Sequence, residues 1–372
     1  MKNRQTSPEF FKSIRAICAG GTAVFYCAWA FCGSAYPCIL RSQNSVFAQG
    51  IFLFLRPWLP LLIASIFGIY SARLFKISAL NQYLKNQTNA LLLPAVLGLA
   101  VFMPVQSYFA VKHNFAFGIL DTLPQDFSFF SNYKNFFTHI SDFTGADGCF
   151  ASGVYGVLFN FFVFSLLVLV PAMILKSRSY RAISPLWLAV IFVIAAALLW
   201  LLPQGLFAVF NFSKILAGWL LGFFVLNRSE VSSTLKNIRH WLAALGGALG
   251  VCYVYIEMNG ILSAAGTKAL ETVYCMTAFC GVFALAKRYF DKPSAFSSTF
   301  NPLFFISFYF CQMLSVIFAC IFLNFIASSV FAFCLTLAAT LCGIICLHLI
   351  FKNFGALRIF LGIKLFGETN EN

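Results

Sequence analysis

Three cationic side chains stand in or beside long apolar stretches, where an ionisable group is costly and marks a functional site by default. Arg15 stands at the edge of the first stretch, Arg56 near the start of the second, and Lys214 well inside the sixth. Snorkelling toward the membrane surface is an adequate structural explanation for Arg15. Lys214 lies too deep for snorkelling, so we expect a polar cavity or a buried partner around it. Arg56 and Lys214 are therefore candidate substrate-binding residues.

Histidine, the most common general base and metal ligand, occurs four times, and its positions are informative. His113 and His139 belong to a long predicted loop, His240 begins the seventh apolar stretch, and His348 lies near the end of the tenth. No two of them stand at metal-ligand spacing, and no combination of Ser, His and Asp indicates a catalytic triad. The residues alone therefore predict no metal site and no catalytic base within the membrane.

The elements that must position these residues follow from the composition. Of the 372 residues, 61% are apolar and only 10% are charged, whereas about 25% are charged in a soluble domain. A spanning helix needs roughly 20 apolar residues, so the chain predicts an all-α polytopic membrane bundle forming a single domain, with one long outer loop at residues 111–150. The predicted spans are residues 16–37, 50–70, 89–110, 151–175, 183–202, 206–226, 241–262, 269–289, 301–325 and 328–350.

The cations alternate between the two sides of these spans. With the N-terminus in the cytoplasm, 19 Lys and Arg residues fall on the inner side and 4 on the outer side, and Arg56 and Lys214 fall within spans. The positive-inside rule therefore predicts ten spans with both termini in the cytoplasm. The net charge of +14 reflects this topology, and nucleic acid is not an expected partner.

Five segments, in order, resemble the integral-membrane acyltransferase-3 family, and within it the periplasmic glucan succinyltransferase branch (glucan biosynthesis protein C). The resemblance covers nearly the whole chain. The segments are residues 13–17 (SIRAI), 91–98 (LLLPAVLG), 159–169 (FNFFVFSLLVL), 216–222 (LAGWLLG) and 351–364 (FKNFGALRIFLGIK).

This resemblance implies an enzyme of the bacterial inner membrane. It would transfer an acyl group from a cytoplasmic donor, usually acyl-CoA, to a hydroxyl of a glycan or glycolipid, with membrane lipid around it and no other cofactor. In the family, an Arg holds the donor phosphates, and a His eleven positions later acts as general base. The resemblance places Arg15 at the mouth of a cavity that opens to the cytoplasm.

The chemical positions depart from the family pattern. Tyr26 stands where the base is expected, and a phenol with an ordinary pKa near 10 is a poor base at neutral pH. Gln312 occupies a second His position in the ninth span. We expect Tyr26 to project into the cavity within reach of Gln312, and both are catalytic candidates with Arg15.

Several interpretations remain open. His139 or Lys214 could have taken over the chemistry, which makes His139 a third substrate-binding candidate. Alternatively, the protein is a catalytically inactive descendant that binds or translocates a lipid-linked or glycan substrate, or an unrelated transporter. Interrupted spans are a feature of transporters, and prolines interrupt the second span (Pro57 and Pro60) and the third (Pro94 and Pro104). They favour a transporter only weakly, because spanning helices tolerate proline.

Overall fold

The computed structural model describes residues 8–32, 40, 45–118, 120, 127–138, 150, 152–169, 173, 185–201, 212–226, 229–289 and 295–354. His139, much of the predicted outer loop and both chain ends lie outside these ranges. Within them, the secondary structure is helical and contains no strand.

Fourteen helices follow one another along the described residues. They are α1 (Pro8–Ala30), α2 (Val46–Leu55), α3 (Leu59–Ile77), α4 (Leu80–Ala116), α5 (Phe129–Thr138), α6 (Gly153–Leu167), α7 (Pro185–Leu201), α8 (Phe212–Leu226), α9 (Ser229–Asn237), α10 (Arg239–Asn259), α11 (Ala264–Tyr289), α12 (Ala295–Phe300), α13 (Phe304–Leu323) and α14 (Ser329–Asn353).

Six helical stretches in the described part of the chain are long and apolar enough to cross a membrane. They are α2 with α3, α4, α10, α11, residues 298–323 and α14. Two shorter apolar helices, α6 and α8, join them. An all-α membrane bundle is thereby confirmed, while the count of ten spans and the cytoplasmic location of both termini stay predictions.

Helix α1 runs through the middle of the bundle and packs against α2, α3, α13 and α14. Its backbone is tied to α13 by Ser307, whose hydroxyl donates a 2.8 Å hydrogen bond to the carbonyl oxygen of Ala19. Phe10, Phe25 and Tyr26 on α1 are fully buried. The first predicted span is therefore an internal helix, and the side chains along it face protein on most sides.

Small residues allow α8 and α3 to approach backbone to backbone. A Cβ atom added at Gly218 would overlap the carbonyl oxygen of Leu61, and one added at Gly222 would overlap that of Ser65. Gly68 faces the carbonyl oxygen of Trp219 in the same way. Helix contacts in membranes commonly use small residues spaced four apart, because dispersion and close packing replace the hydrophobic effect there. This contact fixes the position of Lys214 near the start of α8.

Candidate functional site

The second predicted span is interrupted a few residues after its start. Helix α2 ends at Leu55, residues 56–58 form a turn, and α3 begins at Leu59. Pro57 and Pro60 explain the break, because a proline has no N–H group to donate and its ring collides with the carbonyl four residues earlier. The sequence predicts an interruption at these two prolines, and the structure confirms it.

Carbonyl groups at the break accept hydrogen bonds from α11 and from Trp58 in the break itself. The carbonyl oxygen of Phe54 accepts hydrogen bonds from the Tyr274 hydroxyl at 2.6 Å and from the indole N–H of Trp58 at 2.9 Å. The Cys275 thiol lies 2.9 Å from the carbonyl oxygen of Pro57. Unpaired backbone groups are expensive inside a bilayer, so α11 is held firmly against the break.

Three charged side chains meet at this break. The Lys214 ammonium group donates a 2.5 Å hydrogen bond to Oε1 of Glu271, and Nη2 of Arg56 lies 3.8 Å from the same oxygen. Lys214 also lies 3.4 Å from the carbonyl oxygen of Arg56, the group that Pro60 deprives of its helical donor. The side chains of Lys214 and Glu271 are each 7% exposed. The structure therefore brings Arg56 and Lys214 together and supplies the buried partner expected for Lys214.

This cluster carries an excess of positive charge. Two cations, Arg56 and Lys214, share one carboxylate, and Lys268 lines the small pocket beside them. Ser213, Thr272 and Leu199 complete one side of the pocket, which has room for about one water molecule. Glu271 is the acidic partner of both cations in this structure.

The cluster lies toward the predicted outer side of the membrane. Glu271 is about 10 Å along α11 from its first residue, Ala264, and about 24 Å from Lys287, given a rise of 1.5 Å per residue. On the predicted topology, Lys287 lies at the cytoplasmic surface. On this topology, the charges therefore lie nearer to the outer surface than to the cytoplasmic surface.

Arg15 belongs to a different region. It lies within electrostatic reach of Tyr70 and Arg73 at the other end of the bundle. The Arg73 guanidinium stacks over the ring of Phe11, 3.9 Å from its centroid. Arg15 is partly exposed, as expected for a residue at the edge of a span.

Tyr26 faces the interior of the bundle rather than lipid. Its side chain is fully buried, with the rings of Phe25 and Trp29 packed edge-on against it. Cys311 and Tyr155 are also nearby. Reach between Tyr26 and Gln312 stays a prediction, as does the cytoplasmic cavity. A phenol enclosed in this way has no direct access to a water-borne substrate.

Gln312 has a structural contact that the sequence did not predict. Its Oε1 accepts a 2.9 Å hydrogen bond from the backbone N–H of Val154, one of the otherwise unpaired donors at the start of α6. Gly153 has a positive φ of 49°, and a Cβ there would lie 2.8 Å from the Gln312 amide nitrogen. Gln312 therefore anchors the first turn of α6.

Glu271 was missed by the sequence analysis, which treated only cations as intramembrane charges. It stands two residues inside the predicted eighth span, at 269–289, and an acidic residue within an apolar run was the available signal. Only the fold pairs it with Arg56 and Lys214, which are far away in the sequence.

The comparisons with known proteins identify no family, since neither a protein-family model, nor a curated protein, nor a solved structure matches this chain. The resemblance to the acyltransferase-3 family therefore rests on the sequence motifs alone.

Proposed function

We propose that this protein binds an anionic group of a lipid-linked substrate at Arg56, Lys214 and Glu271, and carries that substrate across the bacterial cytoplasmic membrane without acylating it. The observation that carries this proposal is the buried cluster of two cations and one carboxylate at an interrupted helix. Interrupted helices commonly form the binding sites of transporters, and ionisable side chains within the membrane commonly mark substrate pathways.

In this proposal, the anionic group of the substrate replaces the Glu271 carboxylate as the partner of Arg56 and Lys214. Lys214 is held by Glu271 and by the carbonyl oxygen of Arg56. A phosphate or carboxylate entering the pocket beside Lys268 would compete with Glu271 for both cations. Because charge-assisted hydrogen bonds are about twice as strong as neutral ones, the anion would be favoured over an uncharged analogue. Separation of Glu271 from Lys214 would also release α8 and α11 from one another on this side.

A pair of matched lipids tests the proposal. Purified protein is mixed with a polyprenyl phosphate or with the corresponding neutral polyprenol, and the melting temperature is measured. We expect stabilisation by the phosphate of about 2.7 kcal/mol at a hundredfold excess over Kd, and little from the alcohol. Equal effects of the two lipids would show that the charged cluster does not recognise the anion and would contradict the proposal.

O-acyl transfer to a glycan or glycolipid is the second candidate function. The observation in its favour is the proximity of Arg15 to Arg73 at the predicted cytoplasmic end, because two neighbouring guanidinium groups suit the phosphates of a donor such as acyl-CoA. Burial of Tyr26 argues against it, since a fully buried phenol with an ordinary pKa near 10 is a poor general base.

Release of free thiol from acyl-CoA distinguishes the two functions. We expect no release above a denatured control from the unmodified protein or from Tyr26→Phe. Release that appears only in Tyr26→His would indicate a decayed active site and would be compatible with the transport proposal. Release by the unmodified protein would favour the acyltransferase and contradict a non-catalytic role.

A further inference from the structure

A lateral groove follows the contact between α2 and α10, beside α1. It has a volume of about 810 Å³, within the range of about 300–1,000 Å³ typical of small-molecule sites. Ile51 and Phe54 line one wall, Val251 and Val254 line the other, and Val24 of α1 contributes at the back. Most of the surface of α10 lies outside the bundle, so the groove opens toward the membrane.

The polarity of the groove changes along its length. Its lining is apolar apart from Tyr255 and Asn259, which lie in the last turns of α10. The Asn259 amide donates a 2.7 Å hydrogen bond to the carbonyl oxygen of Tyr255. Tyrosine favours the membrane interface, where its ring lies in apolar surroundings and its hydroxyl in water. This end therefore corresponds to the head-group level of the outer leaflet.

The length of the groove matches one leaflet. Helices α2 and α10 run antiparallel, since Gly50 lies beside Val254 and Gly250 lies beside Phe54. From Val46 to Leu55, the α2 wall measures about 14 Å. Half of a hydrocarbon core of about 30 Å is close to this value.

We infer that this groove is a binding site for one acyl chain of an outer-leaflet phospholipid, whose head group lies beside Tyr255 and Asn259. The inference is independent of the proposed function, because it concerns a different set of contacts from the charged cluster. A chain in the groove touches α1, α2 and α10 at once, whereas a chain on a convex helix face touches protein on one side only. The additional dispersion contacts retain it more strongly than the surrounding lipid.

Photolabelling with a phosphatidylcholine that carries a diazirine in one acyl chain tests this inference. The purified protein is labelled before and after extensive detergent washing, and the modified residues are located by mass spectrometry. We expect Val251 and Val254 to remain labelled after washing. Labelling of Ile345 and Leu349, which are exposed on α14, should be lost.

Variants of Gly50 provide the control. A Cβ at Gly50 would meet only Val254, at 3.9 Å, so Gly50→Ala should retain the label, whereas Gly50→Leu fills the groove and should lose it. Gly247→Leu, on an open part of α10, should retain it, and melting temperatures establish that each variant is folded. Loss of labelling at the same rate from the groove and α14, or labelling unchanged in folded Gly50→Leu, would overturn the inference. Cross-links between two chains through Val251 would also overturn it, because a second copy would then occupy the groove.

Discussion

Replacement of Lys214 by Met is expected to lower the free energy of unfolding by about 3 kcal/mol, at the lower end of the 3–5 kcal/mol range for breaking a buried ion pair. The change removes the hydrogen bond to Glu271 and the donor to the carbonyl oxygen of Arg56. Arg56 still lies 3.8 Å from the Glu271 carboxylate, and this remaining ion pair limits the loss of stability. Unfolding in mixed micelles with increasing SDS measures the effect.

The double variant Lys214→Met with Glu271→Gln tests whether the two side chains stabilise the protein jointly or independently. Removing both charges should restore part of the stability, because no carboxylate is then buried without its main partner. Restoration is incomplete, because Arg56 loses its ion pair with Glu271. Lys112→Met removes a charge from an exposed position and should change stability by no more than about 0.5 kcal/mol. A double variant as unstable as Lys214→Met would show that the two residues are not coupled.

Gly222→Ala is expected to destabilise the protein by about 3 kcal/mol, at the upper end of the usual cost of overpacking. The new methyl group would overlap the carbonyl oxygen of Ser65. Since that oxygen belongs to the backbone of α3, no side-chain rotation can relieve the overlap, and the two helices must separate. Thermal unfolding in detergent measures the loss.

The matched control is Gly247→Ala on α10. A Cβ at Gly247 has nothing within 4 Å, and alanine is favoured over glycine within a helix by about 1 kcal/mol. We therefore expect this variant to be unchanged or slightly more stable. The two substitutions are chemically identical, so equal destabilisation by both would contradict the close packing of α8 on α3.

Much of the fold was predictable because lipid imposes one requirement on a spanning segment. Its side chains must be apolar, and its backbone N–H and C=O groups must form hydrogen bonds within the segment, as they do in a helix. Helices occur at each of the ten predicted stretches, with ends shifted by several residues where the sequence is ambiguous. Helix α4, for example, continues to Ala116, which the sequence assigned to the outer loop. Hydropathy could not show how prolines would divide the second span, since a proline is compatible with either a kink or a break.

The candidate site was only half predictable. Depth within an apolar run identified Lys214 and Arg56 as residues that need partners, which is a local property of the sequence. Their partner Glu271 depends on how α8 and α11 pack, and nothing local encodes that pairing. Gln312 is the opposite case. Its place in the family pattern made it a catalytic candidate, whereas in the structure its side-chain oxygen accepts a hydrogen bond from the first turn of α6.

Binding of polyprenyl phosphate and polyprenol to the double variant Lys214→Met with Glu271→Gln tests the central claim most directly. This variant should be more stable than Lys214→Met alone, and its melting temperature establishes that binding is measured on folded protein. We predict that its preference for the phosphate is much weaker, because the Lys214 ammonium group is gone and only Arg56 and Lys268 remain to pair with the anion. The unmodified protein and Lys112→Met should keep the full preference. A preference for the phosphate that persists unchanged in the double variant would contradict the assignment of this cluster as the anion-binding site.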